Sequence, residues 1–257
     1  MADTKEVLTF AVELGDELLR SGAEVYRVED SVMAILSAYG ITNCDVYVLT
    51  NGIFASADET SADACSIVRY VPLKPIHLGR MSALNDLCRQ VCAKRVTLEE
   101  AWDILKDASS IPSYSKAALI LATGIGSGSF AYLFGGGVLD GLLAVFIGFI
   151  LQLFIFLLEK NKTSKTIVNV LTSALVSVFA ISCHLAGLPV HYDKIIIGDI
   201  MPMVPGIALT NSIRDFINGD YLSGSIRLID ALLTAFCIAV GVGLVITLTH
   251  LFAGGAI

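Results

Sequence analysis

Apolar residues follow two patterns along this chain. Up to about residue 112 they recur at helical or alternating spacing. Beyond it they run on almost without interruption. Val7, Ala11, Leu14 and Leu18 fall on one face of a helix, and Val25, Val28, Val32, Ile35 and Tyr39 on one face of another. Gly22 separates the two and Gly40 ends the second. The β-prone runs Asp45–Thr50 and Ile53–Ala57 flank Asn51-Gly52, a strong hairpin signal. Cys65–Val71 reads as a third strand and Leu78–Ala93 as a third helix. Thr97-Leu-Glu-Glu100 is a capping box opening a fourth helix to about Ala108, and Pro112 stops it. Residues 1–112 are thus expected to form a small α+β domain that buries its own core.

The remainder, 113–257, reads as a membrane domain. Uncharged runs extend over Ala117–Leu139, Gly141–Leu158, Thr166–Tyr192 and Ala231–Ile257. Each reaches the length of about 18 residues needed for a membrane-spanning helix. A fifth apolar segment, Ile195–Ser212, is broken by Asp199, Pro202, Pro205 and Gly206. The fold class expected is therefore a membrane protein, with five transmembrane α-helices near 117–135, 138–158, 167–188, 195–212 and 229–252, preceded by the small α+β domain.

Composition sharpens this division. Residues 1–116 carry 11 Lys/Arg and 17 Asp/Glu, whereas 117–257 carry 6 and 7. Charged residues make up 16% of the chain, against about 25% in a typical soluble protein. A disordered chain, a single soluble domain and a nucleic-acid-binding protein are excluded. No apolar stretch follows a basic start, so no cleavable signal peptide is expected and the first domain should stay in the cytosol. The loop Glu159–Lys165 carries three lysines and the loop before the last span Arg214 and Arg227, against Lys194 on the other side. That bias places the N-terminus inside and the C-terminus outside.

The six cysteines then read as reduced, buried thiols; Cys88, Cys92 and His77 have no spacing that supports a metal site. No Walker or dinucleotide motif is present, and no cofactor is expected. Gly124-Ile-Gly-Ser-Gly128 falls within the first span, where small residues favour close helix packing over phosphate binding.

Three stretches are similar to the threonine/serine exporter family. They are Leu18-Leu-Arg-Ser-Gly-Ala-Glu-Val-Tyr-Arg-Val-Glu29 continuing to Ala38-Tyr-Gly40; Pro202-Met-Val-Pro-Gly206 with Asn211-Ser-Ile-Arg-Asp215, Asn218-Gly-Asp220 and Ser223-Gly224; and Phe134-Gly-Gly-Gly leading to Asp140. The chain resembles the larger first half of such exporters. The resemblance implies a split, two-component form in which a small hydrophobic membrane protein supplies the second half. It also implies an inner-membrane location and a small-molecule substrate, either threonine and serine or a small dicarboxylate such as succinate.

Intramembrane ionisable residues are functional candidates by default. Asp140 and Asp230 each sit near the start of a span, where an acid also suits the positive end of the helix dipole. Arg214 and Asp215 lie at the inner end of the fourth span, with Asn211 before them. Asp199 lies inside that span, three residues before Pro202. Broken helices at membrane depth line cavities and hold substrate sites in transporters, so Asp199, Pro202, Pro205 and Gly206 are placed on the substrate path; the alternative is a packing kink. In the first domain the resemblance alone raises Glu24, Arg27 and Glu29, for gating or docking. A regulatory or assembly subunit is the other reading of the whole chain. An intramembrane aspartyl protease is disfavoured, since Ile196-Ile-Gly198 before Asp199 lacks the first glycine of its motif.

Overall fold

The computed structural model describes residues 3–58, 64–72 and 76–252, so the last five positions of the final apolar run lie outside the described residues. Its contacts divide the chain into two compact units, Met1–Ser113 with Leu209–Leu228, and Tyr114–Ala208 with Ile229–Ile257.

The first unit opens with helices α1 (Thr4–Arg20) and α2 (Val25–Ala38). Gly22, at φ +93°, turns the chain between them. The amide of Ala23 bonds Leu18 O at 3.1 Å and that of Gly22 bonds Leu19 O at 3.0 Å, the paired bonds of a Schellman cap that needs a left-handed residue. Strands β1 (Cys44–Leu49), β2 (Gly52–Ala57) and β3 (Cys65–Tyr70) form an antiparallel sheet in that order. Leu49 pairs with Gly52, so Thr50 and Asn51 make the turn, one residue earlier than Asn51-Gly52 suggests. Neither has a positive φ, so the turn does not use the glycine's freedom. Helices α3 (Leu78–Cys92) and α4 (Leu98–Ser110) follow, the latter opened by the expected capping box between Thr97 and Glu100. Phe10, Leu14, Leu18, Val32, Ile53 and Leu84 are buried in one core. Phe10 meets Trp102 edge to face, with ring centroids 5.2 Å apart.

The second unit contains α5 (Lys116–Leu133), α6 (Val138–Lys160), α7 (Lys165–Leu185) and α8 (Tyr192–Ile200). A single 3-10 turn, Met201–Met203, separates α8 from α9 (Gly206–Ile217). The last helix, α10, runs Tyr221–Phe252. Among the described residues four helices, α5, α6, α7 and α10, are long and apolar enough to cross a membrane; α8 with its 3-10 turn and α9 form a pair bent by 55°, which raises the number of spans to five if it crosses as one.

Glycine sets the closest approach in this unit. A Cβ on Gly128 would stand 2.4 Å from Val145 Cγ2 and 2.7 Å from Gly141 O, so α5 and α6 meet almost backbone to backbone. Thr123 Oγ1 donates to Gln152 Oε1 across the same pair at 2.8 Å. Gly198 does the same for α8: its Cβ would lie 2.6 Å from both Ala131 Cβ and Ser127 O of α5.

Candidate functional site

Asp199 follows Gly198 and inherits its position against α5. The carboxyl is fully buried, and among the described residues neither oxygen has a hydrogen-bond partner. The Ser127 hydroxyl is close enough to interact with it, yet is itself buried without a hydrogen bond. Two residues later the helix tightens into the 3-10 turn and stops. Val204 is extended, with ψ 129°, the conformation that a following proline imposes. Pro202 and Gly206 are exposed and Pro205 half-buried, so the break itself is open while the acid before it is enclosed.

Asp140 is the opposite case. Its carboxylate is buried and well satisfied. It accepts from Gly137 N at 2.7 Å, His191 N at 2.9 Å and, with the ring appropriately protonated, His191 Nδ1 at 3.0 Å. It therefore caps α6 and ties the entry of α8 to it.

Asp230 lies in the third turn of α10, not at its start, and pairs with Lys165 at 2.7 Å; both side chains are well exposed. Such a pair is worth about 0–1 kcal/mol.

The remaining candidates converge within the first unit. Arg214, on α9, pairs with Glu24 at the N-cap of α2, and Arg27 lies 3.9 Å from the same carboxylate. Asp215 is fully buried and pairs with Arg227 of α10 at 3.4 Å. Arg227 Nη2 also donates to Ala23 O at 3.3 Å, next to Glu24. Asp220 interacts electrostatically with both Asp215 and Glu29. Burial and then Asp220 push the Glu29 carboxyl above its ordinary range. Glu24, Arg27, Arg214 and Asp215 thus share one ionic cluster, with Glu29 at its edge. Asn211 is half-buried one turn before Asp215.

His77 caps α3, accepting from Arg80 N at 3.0 Å, whereas Cys88 and Cys92 occupy the other end of that helix. Burial and the neighbouring Cys92 push the Cys88 thiol up to about 11, which leaves it protonated and unreactive. Among the described residues no three His, Cys, Asp or Glu side chains come together as a metal site.

The family model described as "Putative threonine/serine exporter" matches residues 9–249. The chain belongs to the threonine/serine exporter family. It is 29% identical over 252 residues to the "Threonine/serine exporter" of Corynebacterium glutamicum, covering 95% of this chain and 52% of that protein. It is 24% identical over 242 residues to the "Probable threonine/serine exporter" of Mycobacterium tuberculosis, covering 93% and 45%. The chain therefore spans about half the length of these curated relatives. No solved structure matches it.

In this exporter-family chain several partners were not singled out from the sequence. Arg227 enters the sequence reading only through loop charge, Ser127 only within a glycine-rich stretch, and His191 not at all. A serine between small residues on a helix that meets an acid-bearing helix is a signal that could have raised Ser127.

Proposed function

We propose that this membrane protein is one subunit of a secondary exporter of small amino acids such as threonine and serine, or of small dicarboxylates, with its substrate or ion path at the broken helix pair α8–α9. A smaller hydrophobic membrane protein supplies the other half of the exporter. On this reading α5, α6, α7, the broken pair and α10 give five spans, with the N-terminus in the cytosol and the C-terminus outside the bacterial inner membrane.

The observation that carries the path is Asp199. It is enclosed, without a hydrogen-bond partner among the described residues, two residues before the helix breaks. An isolated buried carboxylate costs several kcal/mol, on the order of what transfer of a charge into a low-dielectric interior demands. A structural helix would gain by replacing it. A transporter gains by keeping a group that takes up a proton or an ammonium in one state and releases it in another. Ser127 supplies the hydroxyl beside it.

The test is export from cells carrying both halves. Asp199→Asn preserves shape and should preserve assembly but abolish or uncouple export. Parental export by an assembled Asp199→Asn complex would remove Asp199 from the path.

A further inference from the structure

The polar hold on α8 and the acid it covers lie at opposite ends of that helix. α8 is 9 residues long and lies between two departures from helical backbone, Gly187 at φ +84° before it and extended Val204 after it. Its N-cap residue, His191, makes no side-chain cap of its own. Asp140 of α6 holds the start instead, accepting from His191 N at 2.9 Å and His191 Nδ1 at 3.0 Å. The Asp140 side chain is 2% exposed, whereas that of His191 is 68% exposed. Gly198 lies two turns further on, about 10 Å along the axis. There the helix rests directly on α5, where a Cβ would stand 2.6 Å from Ser127 O. The polar side chains at that seat do not fasten it. Among the described residues Ser127 Oγ and both oxygens of Asp199 lack a hydrogen bond.

Polar bonds thus hold the start of α8, while close packing holds the stretch that covers Asp199. A short helix pivoting on the break at Val204 moves its start furthest. It cannot swing off α5 while Asp140 keeps both bonds to His191.

We infer that Asp140 and His191 are positioning residues for Asp199: their two hydrogen bonds latch the outer end of α8, and parting them lets α8 lift from α5 and opens Asp199 to the outside. This rests on the exporter reading and its five-span topology, which put the start of α8 outside, and adds a control on when the acid is reached.

The exposed ring makes the latch responsive to acid outside. A carboxylate only accepts, so His191 Nδ1 carries a proton whether the ring is neutral or charged. A proton on Nε2 breaks neither bond and adds a positive charge beside Asp140, which strengthens the pair. The other titratable groups at this end of the unit are few. α7 brings His184, whose Nδ1 lies 3.1 Å from Val190 O, and on α8 Asp193 and Lys194 pair with each other at 3.2 Å. α5 has no charge after Lys116, at its far end, and His250 is exposed in the last turn of α10.

The experiment uses cells carrying the complete exporter, with the native cysteines of this chain replaced by serine and Ser127→Cys added under α8. A membrane-impermeant maleimide is supplied outside, and its labelling rate reads how often α8 lifts. Asp140→Asn should speed labelling about tenfold, the weight of one hydrogen bond to a charged group. His191→Ala, which keeps the backbone bond, should speed it severalfold and stands in if the Asp140 variant does not fold. His191→Asn puts a neutral amide donor near the place of Nδ1 and should label at close to the parental rate. The ratio of parental to His191→Asn labelling, in which thiol ionisation cancels, should fall as the outside medium goes from about pH 8 to about pH 5.5, where histidines gain their charge. Parental labelling in both Asp140→Asn and His191→Ala overturns the latch, and a ratio that does not move with pH overturns its response to acid. Asp199→Asn separates the two readings. Parental export in that variant, with labelling that still follows Asp140, removes Asp199 from the path and leaves the latch on α8 standing. Lost export there, with labelling indifferent to Asp140, does the reverse.

Discussion

Two glycines on one helix give a controlled measure of how tightly the membrane unit is packed. Gly126 and Gly128 are both in α5, so replacing either with alanine changes intrinsic helix preference by the same amount. Their surroundings differ. Among the described residues a Cβ on Gly126 meets nothing within 4 Å, whereas one on Gly128 falls 2.7 Å from the backbone oxygen of Gly141 and 2.4 Å from Val145 Cγ2. The valine can rotate, but the carbonyl moves only if α6 moves. Overpacking of this kind costs about 1–3 kcal/mol, a factor of roughly 5 to 150 in the folding equilibrium. Gly128→Ala should therefore be less stable than Gly126→Ala by that amount. At about 2–4 °C per kcal/mol for a chain of this size, the gap in thermal midpoint should be roughly 2–12 °C. Thermal unfolding of fluorescent-protein fusions in detergent, followed by size-exclusion of the surviving fraction, measures it. If Gly128→Ala proves as stable as Gly126→Ala, α5 and α6 do not meet at this surface.

Pro205→Ala should let Val204 adopt helical angles, raising helicity by circular dichroism and lowering export, since the extended residue at the break is what the proline enforces. Glu29→Gln should stabilise the protein at pH 7 and flatten its pH dependence. The carboxyl is raised in the folded state by burial and by Asp220, so stability is lost as pH climbs above the ordinary glutamate range, and thermal midpoints from pH 4 to 8 read the slope. A reporter fused after residue 257 should be active only outside the cytosol; cytosolic activity would refute the five-span topology.

The elements of the first unit were legible because their signals are local. Gly22 and Gly40 end helices through left-handed backbone, Thr97 and Glu100 cap α4, and β-prone runs surround a turn. The turn shifted by one residue because pairing of Leu49 with Gly52 outweighed the dipeptide's own preference. The broken helix was equally legible, since two prolines remove donors wherever they stand. The site partners were not. Glu24 and Arg214 lie far apart in sequence, as do Asp140 and His191, and no spacing rule links residues whose contact depends on how helices pack. Asp230 shows the converse. Its place at the start of an uncharged run suggested a helix cap, but the helix begins two turns earlier because Tyr221–Leu228, polar enough to end a span, still continues as helix.

The interleaving of the two units constrains the order in which this protein can be made. Residues up to Ser113 leave the ribosome first, but Leu209–Leu228, which includes Arg227 and Asp215, belongs to the same compact unit. About 115 residues, nearly all of the intervening membrane segments, must be synthesised before Arg227 reaches Ala23. At translation rates of about 5–20 residues per second this is a delay of roughly 6–23 s. During it the N-cap of α2 waits with Glu24 paired only to Arg27 and lacking Arg214. Bilayer insertion thus precedes completion of the first unit, and a nascent chain arrested between α7 and α8 should expose that unit to protease where the finished chain does not.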